Sequence, residues 1–206
     1  MMKREKSNQA RSRRGFSLVE ILAVLAVTAV LGSLVLPAIS SVTTSMRITR
    51  ATQEVVDELQ FARSTALARN CPVEVWFLQD GAASSGAIQG VRSMILEGPN
   101  TRTWLSRLRR LPDGVGIASS FELSSIIGSQ TLTAPDSANS TSKGAAIRIY
   151  PSGRLELASE ATTPPSQFFL TLGSSQALAA NSSRPPTNFA TVQMSPINAR
   201  VVTLRP

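Results

Sequence analysis

The residues most able to take part in chemistry stand at the start of the chain, in Arg13-Arg14-Gly15-Phe16-Ser17-Leu18-Val19-Glu20. A basic leader, a residue without a Cβ and an apolar run meet only at the Gly15–Phe16 bond. Gly15 lets another protein approach the backbone closely, as a peptidase must. Cleavage there would leave a new amine on Phe16, four residues before Glu20, the one charge in the 24-residue run from Phe16 to Ile39.

Other chemistry is poorly supplied. The 206 residues include no histidine, which removes the commonest general base and metal ligand. Cys71 is alone, so it forms no internal disulfide, and its bland reading is a small buried apolar residue. Without paired cysteines, a glycine-rich phosphate loop or clustered carboxylates, nothing assembles a catalytic or metal site; the chain reads as no enzyme, with no cofactor and no metal.

The net charge of +8 is concentrated at one end. Lys3, Arg4, Lys6, Arg11, Arg13 and Arg14 stand against Glu5, so a chain starting at Phe16 carries 15 basic and 12 acidic side chains, about +3. At about 1.5 Å per residue the Phe16–Ile39 run can cross a hydrocarbon core of about 30 Å. The leader's cations hold residues 1–15 in the cytoplasm and place everything beyond about residue 40 outside it. A cleaved secretory signal shares this outline, but a disposable signal has no reason to carry Glu20.

The elements that position these residues follow from periodicity. No glycine or proline stops the helix between Ser40 and Thr49. Beyond it Ile48, Thr52, Val55, Leu59, Ala62 and Ala66 recur at helical spacing, with Val56 and Leu67 alongside, while Glu54, Asp57, Glu58, Arg63 and Arg69 lie mostly elsewhere on the wheel. Asn70-Cys71-Pro72 ends it, Asn suiting a left-handed cap. Within the span Pro37 removes a helical donor and Gly32 has poor propensity, so the segment between them can bend or melt.

After Pro72 the pattern turns to strands: Val73–Leu78, Ser93–Leu96, Trp104–Leu111, Ala145–Tyr150, Arg154–Leu157, Phe168–Leu172, Thr191–Met194 and Arg200–Leu204. Pro151-Ser152-Gly153 and Ser195-Pro196-Ile197-Asn198 read as hairpin turns. Ser119–Lys143, Ala158–Gln167 and Ser174–Asn188 read as long loops. The fold class is therefore α+β, a long N-terminal helix on an antiparallel sheet. It divides into a leader (1–15), a transmembrane helix (16–39), its amphipathic continuation (40–71) and a β-rich domain (72–206).

The N-terminal phrase resembles the type IV prepilin signature at Gly15, Phe16 and Glu20, with Pro37 in the family's register. The resemblance implies a pilin-like fold and cleavage by a prepilin peptidase. It also implies methylation of the Phe16 amine, pairing of Glu20 with a neighbouring subunit's amine, and local melting near Pro37 on assembly. The stretch Glu58-Leu59-Gln60-Phe61-Ala62-Arg63-Ser64-Thr65-Ala66-Leu67-Ala68-Arg69-Asn70-Cys71-Pro72-Val73 is similar to the GspH/FimT branch of minor pseudopilins. So is Val192-Gln193-Met194-Ser195-Pro196-Ile197-Asn198-Ala199-Arg200-Val201, except that Ala199 stands where a glycine is usual, which sets the tight turn in question. Some features resemble the Verru_Chthon cassette D group. The implied partners are other pilin or pseudopilin subunits, the prepilin peptidase and inner-membrane lipid, and the implied place is the inner membrane, then a pilus or pseudopilus.

Two alternatives stand beside the assembly subunit. One is a DNA-binding minor pilin, with Arg102, Arg107, Arg109 and Arg110 as nucleic-acid contacts, Trp104 as a stacking partner, and Arg200 and Arg205 near the C-terminus. Its plainer reading is a solvated strand face. The other is a single-pass membrane-anchored protein that assembles into nothing.

Overall fold

The computed structural model describes residues 17–79, 88–98, 101–128, 130–135, 143–159, 165–181 and 183–205, without the side chains of 34–41. The helix α1 runs over Leu18–Arg69. Its assignment continues through Gly32 and Pro37. The chain divides into two compact units, Met1–Val42 and Thr43–Pro206.

In the second unit one stripe of α1 is buried: Ile48, Ala51, Thr52, Val55, Val56, Leu59, Ala62 and Ala66. The intervals of three and four keep these on one face, and three alanines bring the helix axis close to its support. Two expectations need correction. Leu67 is 54% exposed, and Glu58 is fully buried. Glu58 follows Val55 by three residues and precedes Ala62 by four, which places it on the stripe itself. Asn70 ends the helix at φ 51°, in the left-handed region its sequence anticipated.

The support is an antiparallel sheet of β1 (Val73–Gln79), β2 (Ile88–Leu96), β3 (Arg102–Trp104), β4 (Arg109–Arg110), β5 (Val115–Ile117), β6 (Leu132–Thr133), β7 (Lys143–Ile149), β8 (Leu155–Leu157), β9 (Phe168–Ser174), β10 (Phe189–Met194) and β11 (Val201–Leu204). Its order is β11-β10-β9-β5-β2-β1-β7-β6, with β3 and β4 also on β2 and β8 on β7. The fold class is α+β, as the periodicities required.

β1 shows how the sheet is filled. Val73, Val75 and Phe77 join the main core with α1, while Trp76 faces a second cluster with Met94, Ala134 and Ala146. Both faces of the central strands are therefore covered, and β1 reads as a nearly continuous apolar run.

Three expectations about connections also change. The strand read over Trp104–Leu111 is broken at 105–108 into β3 and β4. The stretch read as a loop over Ser119–Lys143 contains a one-turn helix, α2 (Ser125–Gly128), and β6. It buries Leu123, Ile126 and Ile127. The hydroxyls of Ser124 and Ser125 accept the Thr171 and Phe169 amides of β9, each at 3.1 Å, so the serines cap a strand edge instead of marking a solvated loop. The stretch read as a loop over Ser174–Asn188 opens with a short helix, α3 (Ser175–Ala180).

Both predicted turns form, and they meet: the Leu155 amide donates to the Pro196 carbonyl at 2.8 Å. Ala199 occupies the left-handed region at φ 49°, with its amide bonded to the Ser195 carbonyl at 2.9 Å. The turn the glycine position demanded is thus made with alanine. Its methyl is buried in the main core, and that packing offsets the backbone strain.

For a chain beginning at Thr43, Ala199→Gly is expected to change unfolding free energy by less than about 1 kcal/mol, relief of strain cancelling the lost methyl. Ala199→Val should cost about 2 kcal/mol or more, because a β-branched residue fits neither the backbone nor the space. Urea unfolding checks both, and an Ala199→Val protein as stable as the parent would contradict the argument.

Candidate functional site

Two regions hold the residues the sequence singled out. Gly15 and Phe16 lie outside the described residues, as does the Pro37 side chain. Glu20 is described, in the first turn of α1. Its amide donates to the Ser17 hydroxyl oxygen at 3.3 Å and to the Ser17 carbonyl at 3.0 Å, so Ser17 caps the helix. Ser17-x-x-Glu20 has capping-box spacing, a local signal that sequence reasoning missed. The Glu20 carboxylate is exposed and makes no hydrogen bond or ion pair among the described residues.

Around it Leu18, Val19, Ile21, Leu22, Val24, Leu25, Val27, Val30 and Leu31 are each at least half exposed. They point in all directions around the helix, so among the described residues no single face of this stretch is buried. Among the described residues no helix is long and apolar enough to cross a membrane. The described apolar side chains stop at Ser33, before the rest of the 24-residue run.

The arginines of the second region do not form one surface. Arg102, Arg107, Arg109 and Arg110 are all exposed. Arg102 stands opposite Leu96 and Arg110 opposite Gly90, so both share the sheet face of Arg92. Arg109, opposite Val91, takes the other face, toward α1. Arg107 falls in the break between β3 and β4.

That break is organised by Glu58. One carboxylate oxygen of Glu58 accepts the Ser93 hydroxyl at 2.6 Å and the Ser106 hydroxyl as well, and the other lies 3.1 Å from Arg109 Nε. Ser106 also accepts the Ser93 amide at 2.9 Å, which clamps the interrupted segment against β2. A buried carboxylate needs donors and a counter-charge, and a regular strand over 104–111 would not place Ser106 and Arg109 to supply them together. Glu58 and Ser93 are both fully buried, and the contacts of this cluster tie α1 to β2 and to the segment between β3 and β4.

Arg92 was absent from the sequence-derived cluster and is central to it. Its guanidinium lies 4.0 Å from the centre of the Trp104 ring, and its Nε donates to the Ser106 carbonyl at 2.8 Å. Trp104 also packs on the second apolar cluster. The ring proposed for stacking on a base thus has an arginine on it already, and Arg109 serves Glu58. Two elements of the nucleic-acid reading are committed inside the chain.

A second buried acid, Glu74, accepts Trp76 Nε1 at 3.1 Å and Arg148 Nη2 at 2.8 Å. Burial would lower the Arg148 pKa, but the bonds and charges of Glu74 and Tyr150 outweigh it and raise it, so the guanidinium stays charged. Cys71 is half-buried against the main core, more open than its apolar reading. Among the described residues no group of three His, Cys, Asp or Glu side chains could hold a metal.

Comparison with known proteins adds two matches. Residues 10–36 match the family model of the prokaryotic N-terminal methylation motif, and residues 51–185 match that of the type II transport protein GspH. Neither distinguishes the Verru_Chthon cassette D group. No curated protein and no solved structure matches the chain significantly.

Arg109→Ala is expected to destabilise a chain beginning at Thr43 by about 1–3 kcal/mol, since Glu58 stays buried with two hydroxyls and no counter-charge. In a double-mutant cycle with Glu58→Gln the two losses should fall short of additivity. Unchanged urea unfolding for Arg109→Ala would return Arg109 to the exposed surface.

Proposed function

We propose, for a chain that belongs to the GspH family of type II transport proteins, that the mature protein begins at Phe16 and assembles through α1 into a type IV pilus or type II secretion-like filament. The methylation motif and the GspH match make it a pilin- or pseudopilin-type subunit, a structural component in a family of structural subunits. In this reading a prepilin peptidase cuts after Gly15. The subunit waits as a single-pass protein of the inner membrane with residues beyond about 40 outside the cytoplasm.

The observation that carries the proposal is the exposed apolar circumference of α1 from Leu18 to Leu31, interrupted by one unpartnered carboxylate. Water does not tolerate that much contiguous apolar surface, so lipid or other helices must cover it. Neither lipid nor an apolar helix compensates Glu20. A charge in hydrocarbon costs several kcal/mol, and an amine on the Phe16 of a neighbouring subunit would remove much of that cost. Such a pairing is satisfied at one axial offset only, which makes Glu20 a register device. The segment containing Gly32 and Pro37 has the lowest helix propensity of the span and is where α1 would yield during assembly.

Mass analysis of the membrane-derived protein should find an N-terminus at Phe16; an intact Met1 terminus in cells with an active prepilin peptidase would overturn the processing step. Glu20→Ala should still insert, and more readily, because it removes a charge from the apolar run. It should nevertheless fall in the fraction recovered in sheared filaments or crosslinked oligomers, with Glu20→Asp between it and the parent. Unchanged incorporation of Glu20→Ala would leave a plain membrane anchor as the better description.

A further inference from the structure

β11 ends the 11-stranded sheet, and among the described residues no strand pairs with its outer edge. Natural edge strands are blunted by charges along the strand, prolines, bulges or a covering segment. Val201-Val202-Thr203-Leu204 has no charge, proline or bulge within it, and its shortness is the one such device it carries. Val201 packs on the main core, while Val202 and Leu204 point to the other face, 45% and 50% exposed. At the turn leading into the strand Ile197 is 80% exposed.

Charge says what could pair there. Arg200 and Arg205 flank the strand, and neither meets a carboxylate among the described residues; Arg205 Nη2 donates to the neutral Thr49 hydroxyl at 2.8 Å. Pairing with the β11 of a second copy would bring arginines together, Arg200 beside Arg205 in the antiparallel sense and Arg200 beside Arg200 in the parallel one. Like charges so placed destabilise a ladder. A strand with an apolar centre and a carboxylate near each end meets no such cost.

We propose that the outer edge of β11 receives an extended, acid-flanked segment of another protein as a twelfth strand. The Ser195 amide donates to the Arg200 carbonyl at 3.0 Å, so by antiparallel alternation Val202 and Leu204 bond inward to β10. The amides and carbonyls of Val201 and Thr203 are then the ones directed outward, two donors and two acceptors for an incoming backbone. Its side chains on one face would lie along Val202 and Leu204. Beside them a groove of about 430 Å³, lined in part by Gln167, Gln193, Met194 and Arg200, can take one of them. Backbone bonds would supply affinity, and the two arginines the choice of partner.

The test uses the full chain in detergent and a fluorescent seven-residue peptide, Asp-Thr-Val-Thr-Val-Thr-Glu. The peptide should bind, and Thr203→Pro should weaken it by about tenfold or more, because proline removes an outward donor without touching the bonds to β10. Arg200→Glu with Arg205→Glu should reverse the preference toward a lysine-flanked peptide. The same peptide N-methylated on alternate amides, so that the edge facing β11 carries no donors, should not bind unaltered protein, a control that requires no variant to fold. Equal binding of the methylated peptide would overturn the proposal. So would a DNA duplex that displaces the peptide and binds Thr203→Pro as well as the parent, which would make the arginines a general anion site.

Discussion

One helix carries two different apolar patterns, and the remaining structure follows from how the second of them is covered. From Leu18 to Leu31 α1 is apolar on every side, whereas from Ile48 to Ala66 it is apolar along one stripe. The first pattern is stable only where no face meets water, the second only where one face meets a sheet. Because the backbone bonds of a helix are internal, the same secondary structure serves both without an unsatisfied group at the change. What differs is the covering: β1, β2 and their partners cover the second, while the first stays exposed among the described residues. Glu20 and Glu58 are the acids embedded in these two apolar regions, and they are compensated differently. Glu58 has its hydroxyls and arginine within the chain; Glu20 has no such partner among the described residues.

That contrast separates the two acids by where their partners lie. A buried acid with its partners inside the chain specifies one arrangement of that chain; Glu58 has the Ser93 and Ser106 hydroxyls on one oxygen and the Arg109 charge beside the other, which makes no hydrogen bond. Here it fixes where β3 stops and β4 starts. Glu74 does similar work on the opposite sheet face through Trp76 and Arg148. An acid left without an internal partner in an apolar setting asks instead for something outside the chain, and that request is the basis for reading α1 as an assembly element.

Much of this was legible before any coordinates, for physical reasons. Signals carried by period and by turn chemistry are local: the helical recurrence from Ile48 to Ala66, the Asn70-Cys71-Pro72 stop and the two hairpin turns all sit where the residues say. What escaped was set by distant partners. Glu58 looked like a solvent residue because its charge was weighed above its position on the wheel, and its donors lie 35 and 48 residues away. The break at 105–108 could not be anticipated without Glu58. Ser124 and Ser125 read as loop residues because serine favours loops, yet here they close the open edge of β9 at Phe169 and Thr171. Of the nucleic-acid candidates, sequence proximity grouped four arginines that strand alternation then divided between faces.

The same partition bears on the surplus of positive charge. Arg50 pairs with Glu54, Arg69 with Glu97, Arg109 with Glu58, Arg148 with Glu74 and Arg154 with Glu156. Arg92 is spent on Trp104 and the Ser106 carbonyl. An excess of about +3 beyond residue 15 is too small to create a field over the whole unit, and screening within about 8 Å at physiological salt confines what there is. Its effect is therefore positional. A lone arginine beside a covered strand changes little, but Arg200 and Arg205 flank a strand whose outer edge pairs with no strand among the described residues, so charge and hydrogen-bonding capacity coincide there. The exposed apolar surface of α1 carries no such coincidence, since Glu20 is the one charged side chain along Leu18–Leu31.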